Sequence, residues 1–130
     1  MPDYGATFDE LRALMLRAAP DMQVCKDTPS HLELHAPWPN PLKPRLPMWF
    51  GAVKSGRAYV SFHLMPLYVA SDLSASIPAG LRKRMHGKTC FNFKTLDAEM
   101  SSELEALTRR CAAAFAKPLN GRMLGSKGVT

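Results

Sequence analysis

The sequence predicts an α+β domain: a largely antiparallel sheet of about five strands packed against N- and C-terminal helices, with a short helical insertion. Two observations carry this. Apolar residues recur at three- and four-residue spacing near both ends of the chain, at Phe8, Leu11, Leu14, Met15 and Ala18 and again at Met100, Leu104, Leu107, Cys111 and Phe115. Between them the pattern switches to alternation, with Leu32 and Leu34, then Val60, Phe62 and Leu64, then Phe91 and Phe93 each sharing a face. Strands joined by hairpins and flanked by helices make such a fold.

The elements follow in order. Residues 7–19 read as a helix opened by a Thr7/Glu10 capping box, in which hydroxyl and carboxylate each satisfy a free backbone amide. Asp9 and Glu10 suit the positive end of its dipole, and Pro20 stops it. Residues 22–26 and 30–36 read as two short strands joined across Asp27-Thr28-Pro29. Five prolines within residues 37–47 lack amide hydrogens, so this stretch is expected to be a stiff loop of polyproline character, pinned by Trp38. Residues 48–54 and 57–65 read as a hairpin about Ser55-Gly56. Pro66 breaks the second strand, and residues 67–70 are expected to continue it at a sheet edge. Ser76 and Pro78 suit the start of a short helix whose Leu81 and Met85 face inward, with Gly87 as a left-handed stop. Residues 89–95 read as a strand, and Asp97 starts the longest helix, running to about Lys117. Residues 1–118 are expected to form one domain and residues 119–130 a flexible tail.

Charge is unevenly spread over the 130 residues. Residues 1–33 carry three basic and six acidic side chains, residues 34–96 nine basic and one acidic, and residues 97–130 five basic and four acidic. A middle of one sign attracts anions. Arg82, Lys83, Arg84, Lys88 and Lys94 form the candidate anion-binding cluster, and Tyr59, Ser61 and His63 lie on what reads as an open sheet face. The partner expected is an anionic small molecule or an acidic protein. Nucleic acid is the weaker alternative, since no named nucleic-acid motif occurs and alternation turns Phe91 and Phe93 into the core.

His31, Glu33 and His35 share one strand face and form a candidate metal set for iron or zinc. Adjacent members stand about 7 Å apart and the outer pair about 13 Å, so one ion shared by all three requires strand bending. Alternation in a half-buried strand produces the same pattern without a metal. Cys25, Cys90 and Cys111 are too far apart for a CxxC motif and read as reduced thiols acting as small core hydrophobes. His63 beside Ser61 invites a nucleophile–base reading, but side chains at i and i+2 run parallel and no orienting acid is visible. P-loop, GxGxxG, GxSxG and HExxH motifs are all missing, so the sequence gives no ground for an enzyme and no cofactor is expected. No apolar run spans a bilayer and the first residues lack a signal-peptide pattern, which makes the cytoplasm the expected location without membrane partners.

YVSFHLMPLYV followed by LRKRMHGKTCFNFK is similar to bacterial YdhG-like domains of unknown function, some of which are described as frataxin-like iron chaperones. That family opens with a helix, has a mid-chain hairpin ending in a V-S-[FL]-H strand, and carries a later lysine-rich G-K-x-x-x-x-F strand before a final helix. The resemblance covers most of residues 8–116. It implies the α+β fold and the metal-delivery alternative, and it brings no catalytic residues.

Overall fold

In the computed structural model, which describes residues 4–87 and 89–117, the chain begins with helix α1 (Tyr4–Ala18). A five-stranded sheet follows: β1 (Gln23–Thr28), β2 (His31–Asn40), β3 (Lys43–Ser55), β4 (Val60–Leu64) and β5 (Cys90–Phe93). Every strand pairs antiparallel with its neighbour in sequence, in the order β1-β2-β3-β4-β5. Three short helices, α2 (Pro66–Val69), α3 (Ser71–Ala75) and α4 (Ala79–Arg82), lie between β4 and β5, and α5 (Ala98–Ala114) closes the fold. This is the α+β arrangement the alternating and helical periods predict.

One sheet face is covered. Helix α1 packs on β3, β4 and α5, and the short helices pack on α5. The core forms where the apolar stripes meet: Phe8, Leu11, Leu14 and Met15 of α1, Leu32 and Leu34 of β2, Val60, Phe62 and Leu64 of β4, Phe91 and Phe93 of β5, and Leu104, Leu107 and Cys111 of α5 are all buried. Each aromatic or leucine so buried contributes roughly 1.5–3 kcal/mol of transfer free energy. The N-cap of α5 is Asp97, whose carboxylate accepts from the Met100 amide at 2.7 Å. Gly87 does take a left-handed φ of +87°, but it is not the helix stop expected: α4 already ends at Arg82 with Lys83 as its C-cap, and Met85 bridges to Phe91 instead of facing inward from a helix.

Several local expectations are corrected. Helix α1 starts at Tyr4, so Thr7 is not its cap; the Thr7 hydroxyl donates to the Lys94 carbonyl at 3.1 Å and ties α1 to the residue after β5. Asp9 and Glu10 consequently fall outside the first turn. Residues 37–47 are not a loop but the distal halves of β2 and β3, joined at Pro41-Leu42, with Pro39 opposite Pro47 and Asn40 opposite Lys43. Proline removes a donor but keeps its carbonyl, so the two arms pair sparsely, with three register shifts between Leu34 and Asn40. The arm is exposed, including Leu42 and Leu46. Trp38 does pin it: its indole Nε1–H donates to the Phe115 carbonyl at 2.8 Å and its ring meets Phe115 edge-on at 5.3 Å.

The turn after β3 spans Gly56 to Tyr59, closed by the Gly56 amide donating to the Tyr59 carbonyl, rather than a two-residue turn. Residues 67–70 do not extend β4 at an edge. Pro66 starts α2 instead, because it occupies a first-turn position where no donor is needed. Ser76 caps no helix start; it ends α3, its hydroxyl donating to the Leu73 carbonyl at 2.7 Å, and Pro78 precedes α4 without a side-chain cap. The tail at 119–130 and the end of the domain at 118 lie outside the described residues. No described helix is long and apolar enough to cross a membrane.

Candidate functional site

The sheet face away from the helices carries the polar side chains. Register fixes their rows. His31 stands opposite Lys54, Lys54 opposite Ser61, and Ser61 opposite Asn92. Beside that row, Lys26 faces Glu33, Glu33 faces Ala52, Ala52 faces His63, and His63 faces Cys90. Strand alternation alone places His31, Glu33, His35, Ser61 and His63 here, and each is partly exposed.

Glu33 sits between two imidazoles. Its Oε2 lies 3.1 Å from His35 Nε2 and its Oε1 3.5 Å from His31 Nε2. Partial burial, reinforced by Lys26, holds His31 below the ordinary histidine range. The structure adds a residue that strand alternation alone did not bring out. The β1–β2 register shifts between Val24 and Lys26, leaving Cys25 as the extra residue of a bulge, with its thiol donating to the Glu33 carbonyl at 3.3 Å. Cys25 is exposed, not a core hydrophobe. Ligand atoms of Cys25, Glu33 and His35 all lie within 4.8 Å of one another, and His31 stands outside that group. Burial, then the Glu33 charge, raises the Cys25 thiol.

His63 lies against the ring of Trp49, centroids 5.9 Å apart, with Cys90 Sγ 3.6 Å from Nε2. Burial, then the neighbouring His31 and Lys54, lowers His63, while burial raises Cys90. These directions keep a neutral imidazole beside a neutral thiol, the reverse of an activated thiolate–imidazolium pair. Ser61 does not meet His63; its hydroxyl donates to the Lys54 carbonyl at 3.3 Å. Cys90 is half-buried, and only Cys111 behaves as the core hydrophobe expected of all three cysteines, its thiol pushed up to about 12 by burial.

At one end of this face the β3–β4 turn folds over a recess of about 370 Å³ lined by Lys54, Gly56, Arg57, Ala58, Tyr59 and Ser61. Two cations and two hydroxyls line it, with no carboxylate. Neither Lys54 nor Arg57 has an ion-pair partner among the described residues.

The basic segment after the short helices is placed elsewhere. Arg82 ends α4 and its guanidinium donates to the Ser74 carbonyl at 2.8 Å. Lys83 and Arg84 are exposed in the following turn, where the Arg84 carbonyl accepts from the Asn92 amide. Lys94 is exposed beyond β5, and Lys88 lies outside the described residues. None of the four described members, Arg82, Lys83, Arg84 and Lys94, lines the recess.

Comparison with protein-family models, with curated proteins and with solved structures finds no match for the chain.

Proposed function

We propose that this domain is a non-enzymatic binding module that takes a small anion, or an acidic side chain of a protein partner, on its open sheet face. The observation that supports this reading is the recess lined by Lys54 and Arg57, which brings two cations and the Tyr59 hydroxyl into one concavity, the Ser61 hydroxyl being already bonded to the Lys54 carbonyl. Lysine offers a point charge and arginine a planar fork of donors, a combination suited to phosphate or carboxylate oxygens. Tyr59 is 40% exposed, leaving its ring available to a planar ligand. The exposed Lys83, Arg84 and Lys94 add long-range attraction for the same sign of ligand.

The test is a heteronuclear NMR titration with inorganic phosphate and then a nucleotide, at low and physiological salt. Amide shifts at residues 54–61 that weaken with salt support the reading, and K54E with R57E should abolish them. Shifts confined to residues 82–94, and lost in K83E with R84E, would move the site to the basic segment. Stronger shifts with an oligonucleotide than with the nucleotide would favour a nucleic-acid partner.

A further inference from the structure

We infer that Cys25, Glu33 and His35 form a surface site for a borderline divalent metal ion of the Zn²⁺ class, independent of the anion recess. Sulfur, imidazole nitrogen and carboxylate oxygen are the three donor types such ions accept, and thiolate with imidazole disfavours Mg²⁺ and Ca²⁺. Their ligand atoms lie within 4.8 Å of one another. Tetrahedral Zn²⁺ with ordinary bond lengths holds its ligands roughly 3.3–3.5 Å apart. The Glu33–His35 separation of 3.1 Å is already close to that spacing. The thiol requires a side-chain rotation of modest reach, from its bond to the Glu33 carbonyl toward the carboxylate.

The backbone explains how residues from two strands converge. His35 and Glu33 are two apart on β2 and share a face. Without a bulge, alternation would place Cys25 in a fixed slot across from one β2 residue. The register shift frees it from that pairing and sets it alongside both. His31 is no ligand. Its ring approaches the other Glu33 oxygen at 3.5 Å, so it is a positioning residue that steadies the carboxylate. Lys26 stands opposite Glu33 on an exposed strand, and its ammonium opposes an ion there.

Three protein ligands leave a fourth tetrahedral position for water or for an incoming donor. The site spans the outermost strand, whose six residues are all exposed, and β2, where Glu33 and His35 are partly exposed, so an ion reaches it without any opening of the fold. Binding replaces the thiol proton with a metal–sulfur bond and releases that proton to solvent, with no redox change. An exposed site with an open position suits an exchangeable ion more than a structural one.

The test uses the reduced 130-residue chain without oxygen, titrated with Co²⁺ as a spectroscopic probe and then with Zn²⁺ in competition. The expected result is one equivalent of Co²⁺, a sulfur-to-cobalt charge-transfer band, and its displacement by Zn²⁺. C25S removes the band. C25S and H35A each weaken Zn²⁺ binding by about 100-fold or more, and H31A by about tenfold, the scale of an outer partner. C90S, which alters the half-buried thiol beside His63, leaves the band unchanged, and K26A tightens binding. Far-ultraviolet circular dichroism of each variant confirms an unchanged fold, as expected of side chains that lie outside the buried core. A band that survives C25S, a band lost in C90S, or wild-type affinity no greater than that of C25S with H35A would overturn the inference. Because Lys54 and Arg57 contribute no ligand, K54E with R57E leaves Co²⁺ binding in place whatever it does to anions.

Discussion

A methyl group placed on Gly51 would collide with the His63 carbonyl oxygen and lie 3.1 Å from the terminal methyl of Met15. Gly51 is a point where β3, β4 and α1 approach closely, opposite Leu64 in the ladder. G51A is therefore expected to destabilise the fold by about 1–3 kcal/mol, the usual cost of overpacking, read as a lower denaturant midpoint. A midpoint equal to wild type would show that β4 shifts freely there. Some residue roles of this kind were legible from the chain and others were not. His31, Glu33 and His35 fell on one half-exposed face because alternation fixes faces wherever a strand is regular. Cys25 escaped because a bulge is a tertiary choice: nothing in the residues around it signals where the register slips. Thr7 and Glu10 carry a capping signature, yet the helix begins a turn earlier and the threonine hydroxyl finds the Lys94 carbonyl instead.

At the scale of elements, α1 and α5 are joined by a carboxylate shared between two guanidinium groups. Glu105 Oε1 lies 2.8 Å from Arg17 of α1, and Oε2 2.6 Å from Arg109 one turn further along α5. Hydrogen bonds from Arg17, then Arg109, hold Glu105 at a pKa of about 2, against an ordinary value of 4.5. A depressed folded-state pKa gives stability that is present above 4.5 and disappears as the pH falls toward about 2. E105Q should cost about 1 kcal/mol near neutral pH, the scale of exposed ion pairs, because both arginines are half in solvent. The difference from wild type should close as the pH is lowered through that window, as thermal melts at a series of pH values would show. A gap that persists at the lowest pH would assign the effect to packing. The helices and central strands themselves were legible because apolar periods of 3.6 and 2 survive in α5 and β4 without interruption. The short helices α2 and α3 were not, since four or five residues carry too few turns to show a period.

For the whole molecule, the proline-rich arm divides the sheet into a body and a projection. Everything beyond Pro39 and before Met48 is largely exposed, whereas Trp38 and Met48 are buried at its root. Replacing residues 40–46 by a two-residue Asn-Gly turn should change unfolding free energy by less than about 1 kcal/mol, since loop length enters only logarithmically. W38A should cost about 3–5 kcal/mol, as for other buried aromatic truncations. Chemical denaturation of both variants checks the division, and comparable losses would make the arm part of the body. The donor-poor composition of residues 37–47 concealed this architecture, since five missing amides mask a pairing that rests on carbonyls and neighbouring residues.

The sheet also has two unequal rims. Beyond β5 the Asn92 amide donates to the Arg84 carbonyl, the His86 amide donates to the Cys90 carbonyl, and Met85 bridges to Phe91, so that side is occupied. Beyond β1, no described strand pairs. Among the described residues, Gln23–Thr28 is therefore the rim open to growth of the sheet, by strand exchange between copies or by fibre formation from a partly unfolded chain. Lys26 and the bulge at Cys25 guard that strand, one by charge and the other by interrupting the flat run of amides a second chain would read. The irregularity that brings Cys25 beside Glu33 and His35 is thus also a barrier to aggregation, and a variant that straightens β1 would lose both together.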